Sequence, residues 1–202
     1  MLLRDRTAAA HDAAEEAMGV DFRSTDSSQY LALLNGLLEF HDAVAEFSWS
    51  TVAHELEQDM AALVRVQSLR ADISVMSARS PNSADDTTRA DDRPAVASVM
   101  KKQLHGGRDA RIGAAYVAAG SVLGGRVIAA SLAAGSCSDF PRSFFASEGL
   151  DLGRLWHQFK AALDVFGKSG ADTAQVIAGA IAAFSSVHDI LSAPGTTAGT
   201  SR

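Results

Sequence analysis

A long run of small and apolar residues at positions 113–135 constrains the fold more than any other part of the chain. Arg126 is its only charged residue, and its alanines and leucines favour an α-helix. Three glycines interrupt it, Gly120, Gly124 and Gly125, and each costs about 1 kcal/mol of helix stability relative to alanine. Glycine allows a helix to bend and its backbone to approach a flat surface. The run therefore predicts a kinked, buried helix lying close over a planar partner.

Two other interpretations of this glycine pattern stay open. Gly120 and Gly124 form a GxxxG pattern, which in membrane proteins allows two spanning helices to pack closely. Arg126 in the middle of the run, and the scarcity of Leu and Ile, argue against a spanning helix, so we expect no membrane partner. The second alternative is tight helix–helix packing with no ligand at all.

The composition favours an all-α fold and limits the possible partners. The chain has 202 residues with 6% aromatic residues and four prolines, which suits a single bundle of about seven or eight helices. A net charge of −6 disfavours nucleic acid as a partner. Cys137 is the only cysteine, and the first residues lack the apolar core of a secretory signal. We therefore expect a cytoplasmic protein without disulfides.

Apolar spacing and capping residues predict the helix boundaries. Asp26 with Gln29, and Asp172 with Gln175, fit the capping-box pattern. The predicted helices cover about 2–19, 27–47, 52–66, 68–78, 95–104, 109–135, 151–166 and 173–191. Between them we expect a charged loop over 79–93 and an irregular segment over 136–149. A helical domain over 1–191 would then be followed by a disordered tail, 192–202.

Several familiar catalytic motifs are absent from the sequence. His54-Glu55 begins like a zinc-protease motif but has no second histidine at the required spacing. Gly124-Gly125-Arg126 lacks the Lys-Ser/Thr pair of a phosphate loop. No pattern gives Cys137 a histidine partner, so it is expected to be an ordinary buried or loop cysteine.

A histidine in the first predicted helix gives the clearest candidate site. His11 is surrounded by the small residues Ala8, Ala10 and Ala14, which leave room for a broad ligand, although a lone histidine on such a face is commonly a core residue. Arg4 lies seven residues earlier, about 10 Å away on nearly the same side of the helix. An imidazole, a nearby cation and a glycine-rich helix together suit haem. Haem iron takes an imidazole ligand, and its propionates need cations or hydroxyl donors.

These residues resemble the haem oxygenase family. Residues 3–15 carry Leu-Arg-x-x-Thr-x-x-x-His-x-x-x-Glu, which is similar to the N-terminal helix of that family. Residues 116–125, Tyr-Val-Ala-Ala-Gly-Ser-Val-Leu-Gly-Gly, are similar to the distal helix of its bacterial, biliverdin-producing type. Segments 69–73, 156–160 and 182–184 resemble the middle and the last two helices. The resemblance spans almost the whole chain and implies the all-α haem oxygenase fold.

The resemblance also implies a role for each matching residue. His11 matches the proximal iron ligand. Gly120, Ser121 and Gly124 match the part of the distal helix where the ring is attacked. The residues implied to contact the rest of the haem, its propionates or the pocket wall are Arg4, Tyr116, Gly125, Lys160 and Phe184.

The activity implied by the resemblance is the opening of haem to biliverdin, carbon monoxide and ferrous iron. Haem is both substrate and cofactor, dioxygen is the oxidant, and electrons come from a ferredoxin or a flavin reductase, because the chain has no flavin or nicotinamide motif. A biliverdin acceptor such as a phytochrome is a further implied partner. Two alternatives stay open: a non-catalytic haem carrier or sensor, and a cofactor-free hydrolase of the same superfold that uses Cys137.

Overall fold

The computed structural model describes residues 2–18, 21–56, 61–63, 65–79 and 107–192. Within these ranges it contains helices and no strand, so the prediction of an all-α fold is confirmed. The α-helices are α1 (Leu2–Met18), α2 (Ser27–Val44), α3 (Ser50–Glu55), α4 (Val66–Arg79), α5 (Arg108–Ala134), α6 (Ser143–Ala146), α7 (Leu152–Lys168) and α8 (Thr173–Leu191). A π-helical turn, Ala45–Trp49, joins α2 directly to α3, and a 3-10 turn, Ala61–Leu63, precedes α4.

Aspartate side chains fix the starts of three helices. The Asp26 carboxylate accepts hydrogen bonds from the backbone N–H groups of Ser28 and Gln29, both at 2.8 Å. The Gln29 side chain accepts one from the Asp26 N–H at 3.2 Å, which completes the predicted capping box. Asp151 and Asp172 cap α7 and α8 through their carboxylates.

The single helix predicted over 52–66 is wrong. α3 ends at Glu55, and Leu56 follows with φ −101° and ψ −5°, the geometry of a helix end. The sequence at 57–60, Glu-Gln-Asp-Met, adds little apolar surface, and a short helix depends on such surface for its stability. The predicted helix over 95–104, the charged loop beyond Arg79 and the tail beyond Ser192 lie outside the described residues.

The segment over 136–149 was predicted to be irregular, yet it contains the short helix α6. A buried carboxylate from α4 explains this helix. Asp72 accepts hydrogen bonds from the backbone N–H of Ser143 at 3.2 Å, from its hydroxyl at 2.6 Å, and from the N–H of Phe144 at 2.9 Å. This cap comes from a residue 71 positions away, so the local sequence of α6 does not reveal it.

Glycines set the closest helix contact of the fold, between α5 and α8. A Cβ atom placed on Gly113 would overlap the backbone carbonyl of Val176, and one placed on Gly179 would overlap that of Ala110. Only glycine at both positions allows the two backbones to approach so closely. α8 also packs against α1 and α2, so it supports both α5 and α1.

The glycine-rich stretch forms one uninterrupted α-helix, so its glycines do not end α5. The kink within this helix stays a prediction. The prediction that this helix is buried holds for most of its first half and for only one side of its second half. Residues 112–115 and 117–119 are buried, whereas Ser121, Gly124 and Val127 are exposed, with Val127 70% accessible. An exposed valine beside exposed glycine indicates a surface available to an apolar ligand.

Among the described residues, two helices, α5 and α8, are long and apolar enough to cross a membrane. They are also the two helices that pack most closely against each other. A core helix of a soluble protein has the same length and composition, so this property is a weak indication of a membrane span.

His41 of α2 is a histidine buried without a polar partner. Its ring lies edge-on to Phe40 and Phe144, with centroid distances of 5.3 and 5.2 Å. Neither ring nitrogen has a hydrogen-bond partner among the described residues. Burial lowers the pKa of His41 from 6.5 to about 4, because the charged imidazolium would lose its hydration.

We expect His41 to make the fold sensitive to acid. The unfolded chain protonates this histidine below about pH 6.5 and the folded chain only below about pH 4, so stability falls as the pH drops through that window. The contribution lost is about 3 kcal/mol. Urea unfolding of His41→Leu across this window should show a weaker pH dependence than the unsubstituted chain. His54→Leu, which changes an exposed histidine, is the control, and equal slopes for His41→Leu and the unsubstituted chain would contradict the expectation.

Candidate functional site

His11 lies at the surface of α1, next to α8. Its side chain is 49% exposed, so it is not the core histidine that the sequence left as an alternative. The imidazole meets the ring of Phe184 edge-on, with a centroid distance of 5.4 Å and an interplanar angle of 76°. The structure therefore brings together an accessible imidazole and the aromatic residue predicted for the pocket wall.

Carboxylates flank both ring nitrogens of His11. Nε2 lies 3.6 Å from a carboxylate oxygen of Glu15, one helical turn later, and Nδ1 lies 3.7 Å from one of Asp12. When one imidazole nitrogen binds a metal, a carboxylate beside the other orients the ring and raises its basicity. The three side chains are also close enough to share a metal ion, although exposed groups of this kind are common without one.

One side of α5 is covered by another helix near its start and is exposed further along. Gly113, Gly120 and Gly124 lie on the same side, since seven and eleven residues are close to whole numbers of helical turns. At Gly113 the neighbour is the backbone of α8, and at Gly120 it is the Trp156 ring, 3.6 Å from the position of a Cβ atom. At Gly124 no atom of the described chain lies within 4 Å. We call the side of α5 that carries Gly120, Gly124 and Val127 the α5 groove.

Two other residues predicted on this helix have different surroundings. Gly125 is buried on another side of α5, where a Cβ atom would lie 3.1 Å from the carbonyl oxygen of Phe145. Packing against α6 explains the absence of a side chain at Gly125, and its role as a haem contact stays a prediction. Ser121 is exposed, and its hydroxyl donates a hydrogen bond to the Ala118 carbonyl of its own helix at 2.8 Å.

Two of the residues predicted to bind propionates contact one tryptophan, and the third lies near Tyr116. Tyr116 packs against Trp156 with a centroid distance of 5.5 Å, and the Lys160 ammonium lies 5.8 Å from the centroid of the same ring. Arg4 is close enough to Tyr116 to act on its ionisation. Burial raises the pKa of the Tyr116 phenol, and the positive charge of Arg4 partly offsets that rise. A phenol and two cations thus form a cluster suited to carboxylate groups.

These features fit a flat, anionic metal macrocycle. The imidazole provides a metal ligand of the kind that haem iron accepts. The glycine backbone lets a planar ring approach α5 closely at Gly124, where a Cβ atom would meet no neighbour, whereas the Trp156 ring lies beside Gly120. The cluster formed by Arg4, Tyr116 and Lys160 provides positive charge and a hydroxyl donor. The chemistry of the residues present therefore fits haem.

Other candidate sites in the described residues are less suited to this chemistry. Two open cavities of about 400 and 350 Å³ lie beside the start of α5 and beside α6, and neither is lined by His11 or the α5 groove. Cys137 is buried, and its thiol donates a hydrogen bond to the Thr25 carbonyl at 2.7 Å. A thiol held in this way has a structural contact and no accessible surface, which disfavours a cysteine hydrolase.

Sequence reasoning missed two members of this site. Trp156 was predicted only as part of the apolar side of its helix and of a similar segment, although its spacing from Lys160 on α7 places both on one helix face. Glu15 was noticed only as part of a similar segment, and its position four residues after His11 was the signal that it faces the imidazole.

The proximity of Arg4 to Tyr116 can be tested by titration. We expect Arg4→Ala to raise the pKa of Tyr116, because removal of the cation removes its stabilisation of the phenolate. Ultraviolet titration of the phenolate measures this, and Tyr30 titrates at higher pH because it is more deeply buried. Arg6→Ala, which removes an exposed cation from the same helix, should leave the titration unchanged. Identical titrations of Arg4→Ala and Arg6→Ala would show that Arg4 and Tyr116 are not neighbours in solution.

Comparison with known proteins gave one match. No curated protein and no solved structure matched the chain. A family model described as heme oxygenase matches residues 1–193, which include His11, the α5 groove and the cluster at Tyr116. The match covers nearly the whole chain, and the chain therefore belongs to the haem oxygenase family.

Proposed function

We propose that this protein is a haem oxygenase that converts haem to biliverdin, carbon monoxide and ferrous iron. The observation that carries the proposal is the combination of a half-exposed His11, with a carboxylate beside each ring nitrogen, and the open backbone of the α5 groove. Family membership supports haem as the substrate. The serine after the first groove glycine supports the bacterial type within that family.

In this proposal His11 holds the iron and Phe184 holds the imidazole. The edge-on contact with Phe184 restricts rotation of the His11 ring. Glu15 or Asp12 would accept a hydrogen bond from whichever ring nitrogen does not bind iron. Arg4, Tyr116 and Lys160 bind the propionates, which fixes the orientation of the macrocycle.

The α5 groove would form the opposite side of the site. Bound haem supplies a reducible iron at which dioxygen is activated, and haem itself is the molecule that is oxidised. Gly120 and Gly124 allow the helix backbone to lie close to the ring, where side chains would block dioxygen. The exposed Ser121 hydroxyl uses its hydrogen for the Ala118 carbonyl, so its oxygen is free to accept a hydrogen bond from water in the groove.

The reaction requires electrons that the chain does not carry. We propose an external donor such as a ferredoxin or a flavin reductase. Dioxygen is the second substrate. We also propose a cytoplasmic protein whose biliverdin passes to an acceptor such as a phytochrome. The open groove at Gly124 supports release of a flexible product to such an acceptor.

Haemin titration of histidine variants tests the proposal. Removal of a metal-orienting partner alone costs 10–100-fold in affinity, so loss of the carboxylate beside the nitrogen that does not bind iron, through Glu15→Gln or Asp12→Asn, should weaken haemin binding about tenfold, and His11→Ala should weaken it by more than about 100-fold. Binding is measured from the Soret band. Addition of a reductant under oxygen should then convert the haem of the unsubstituted chain to biliverdin, and no biliverdin should form with His11→Ala.

His54→Ala is the matched control, because it removes another helical and exposed histidine. It should bind and convert haem like the unsubstituted chain. Equal Soret spectra for His11→Ala and the unsubstituted chain would contradict the assignment of His11 as ligand. Haemin binding through His11 with no biliverdin formation would instead identify a haem carrier or sensor.

A further inference from the structure

Trp156 occupies a position between the α5 groove and the propionate cluster. Its Cη2 atom lies 3.6 Å from the site of a Cβ on Gly120, which is ordinary van der Waals contact. Its ring packs against Tyr116 on one side and Phe159 on another, at centroid distances of 5.5 and 5.9 Å. The Lys160 ammonium lies 5.8 Å from its ring centroid. One indole therefore contacts the groove and two of the three propionate-binding candidates.

We propose that Trp156 determines the in-plane position of haem in the α5 groove and thereby selects the meso carbon at which the ring opens. This inference rests on the proposed function. Trp156 is a specificity-determining residue in this role, and it takes no part in the chemical steps.

The first argument comes from the shape of the groove. Gly120 and Gly124 are about 6 Å apart along the helix. The indole covers the Gly120 end, whereas no atom of the described chain lies within 4 Å at Gly124. A planar ring lying in the groove can extend toward Gly124 but meets the indole edge at Gly120. Trp156 thus sets one limit on how far the macrocycle can slide along α5.

The second argument comes from the charges beside the indole. The two propionates break the approximate fourfold symmetry of the macrocycle, so their position decides which meso carbon faces the groove. Tyr116 and Lys160 lie beside Trp156 and attract the propionates, and burial of a carboxylate against the apolar indole edge is unfavourable. Rotation of the macrocycle that turns the propionates away from Tyr116 and Lys160 loses these partners, so the cluster packed against Trp156 opposes it.

The test compares Trp156→Phe and Trp156→Ala with Leu155→Ala. Leu155 lies on the same helix and in the same apolar cluster, so its truncation controls for loss of packing. We expect Trp156→Ala to lower the ratio of the major to the minor biliverdin isomer about tenfold, which corresponds to about 1.4 kcal/mol. Trp156→Phe, which keeps an aromatic ring, should lower it less, and Leu155→Ala should not change it.

A second measurement does not depend on turnover. The hyperfine-shifted haem methyl resonances in the ¹H NMR spectrum of the ferric, cyanide-bound complex report the in-plane orientation directly. The unsubstituted chain should give one dominant set of resonances and Trp156→Ala more than one. If Trp156→Ala does not fold, the same two measurements on Trp156→Phe test the proposal. The isomer ratio and the resonances should then change in the same direction but by less.

The outcomes separate this inference from the proposed function. An unchanged isomer ratio and one unchanged set of resonances in the folded tryptophan variants would overturn the role of Trp156 and leave the proposed function intact. If the unsubstituted chain binds haemin without producing biliverdin, the NMR spectra alone decide the in-plane position and the selection of a meso carbon is overturned. If it binds no haemin, the proposed function fails and this inference fails with it.

Discussion

The contact between α5 and α8 is the constraint on which the rest of the structure depends. Gly113 and Gly179 bring the two backbones together in the first half of α5, where any side chain would overlap a carbonyl group. Beyond that contact the same side of α5 meets the Trp156 ring at Gly120 and is open at Gly124. Gly113 and Gly125 thus permit packing against other helices, whereas Gly124 leaves a surface free.

α8 connects α5 to the other helices of the site. It packs against α1 as well as α5, and its Phe184 contacts the imidazole of His11. Arg4 on α1 and Lys160 on α7 come near the Tyr116–Trp156 pair. The site is consequently assembled from four helices, which together contribute a metal ligand, an aromatic support, an open backbone and positive charge.

The sequence predicted the parts of the fold that local physics determines. The all-α class, the capping box at Asp26 and the course of α1, α4, α7 and α8 follow from apolar spacing and caps. The end of α3 and the presence of α6 were not predictable, because tertiary packing and the distant Asp72 decide them. The surroundings of Gly125 were likewise not predictable. The glycines on different sides of α5 are the same residue type, so the sequence does not indicate which of them packs against another helix.

A crystal structure of the chain with haemin would test the central claim most directly, namely that a macrocycle lies between His11 and the α5 groove. The account predicts a bond between iron and an imidazole nitrogen of His11, with the ring against the backbone of Gly120 and Gly124 and the propionates toward Tyr116 and Lys160. Iron bound by another residue, or a ring bound away from the groove, would contradict it.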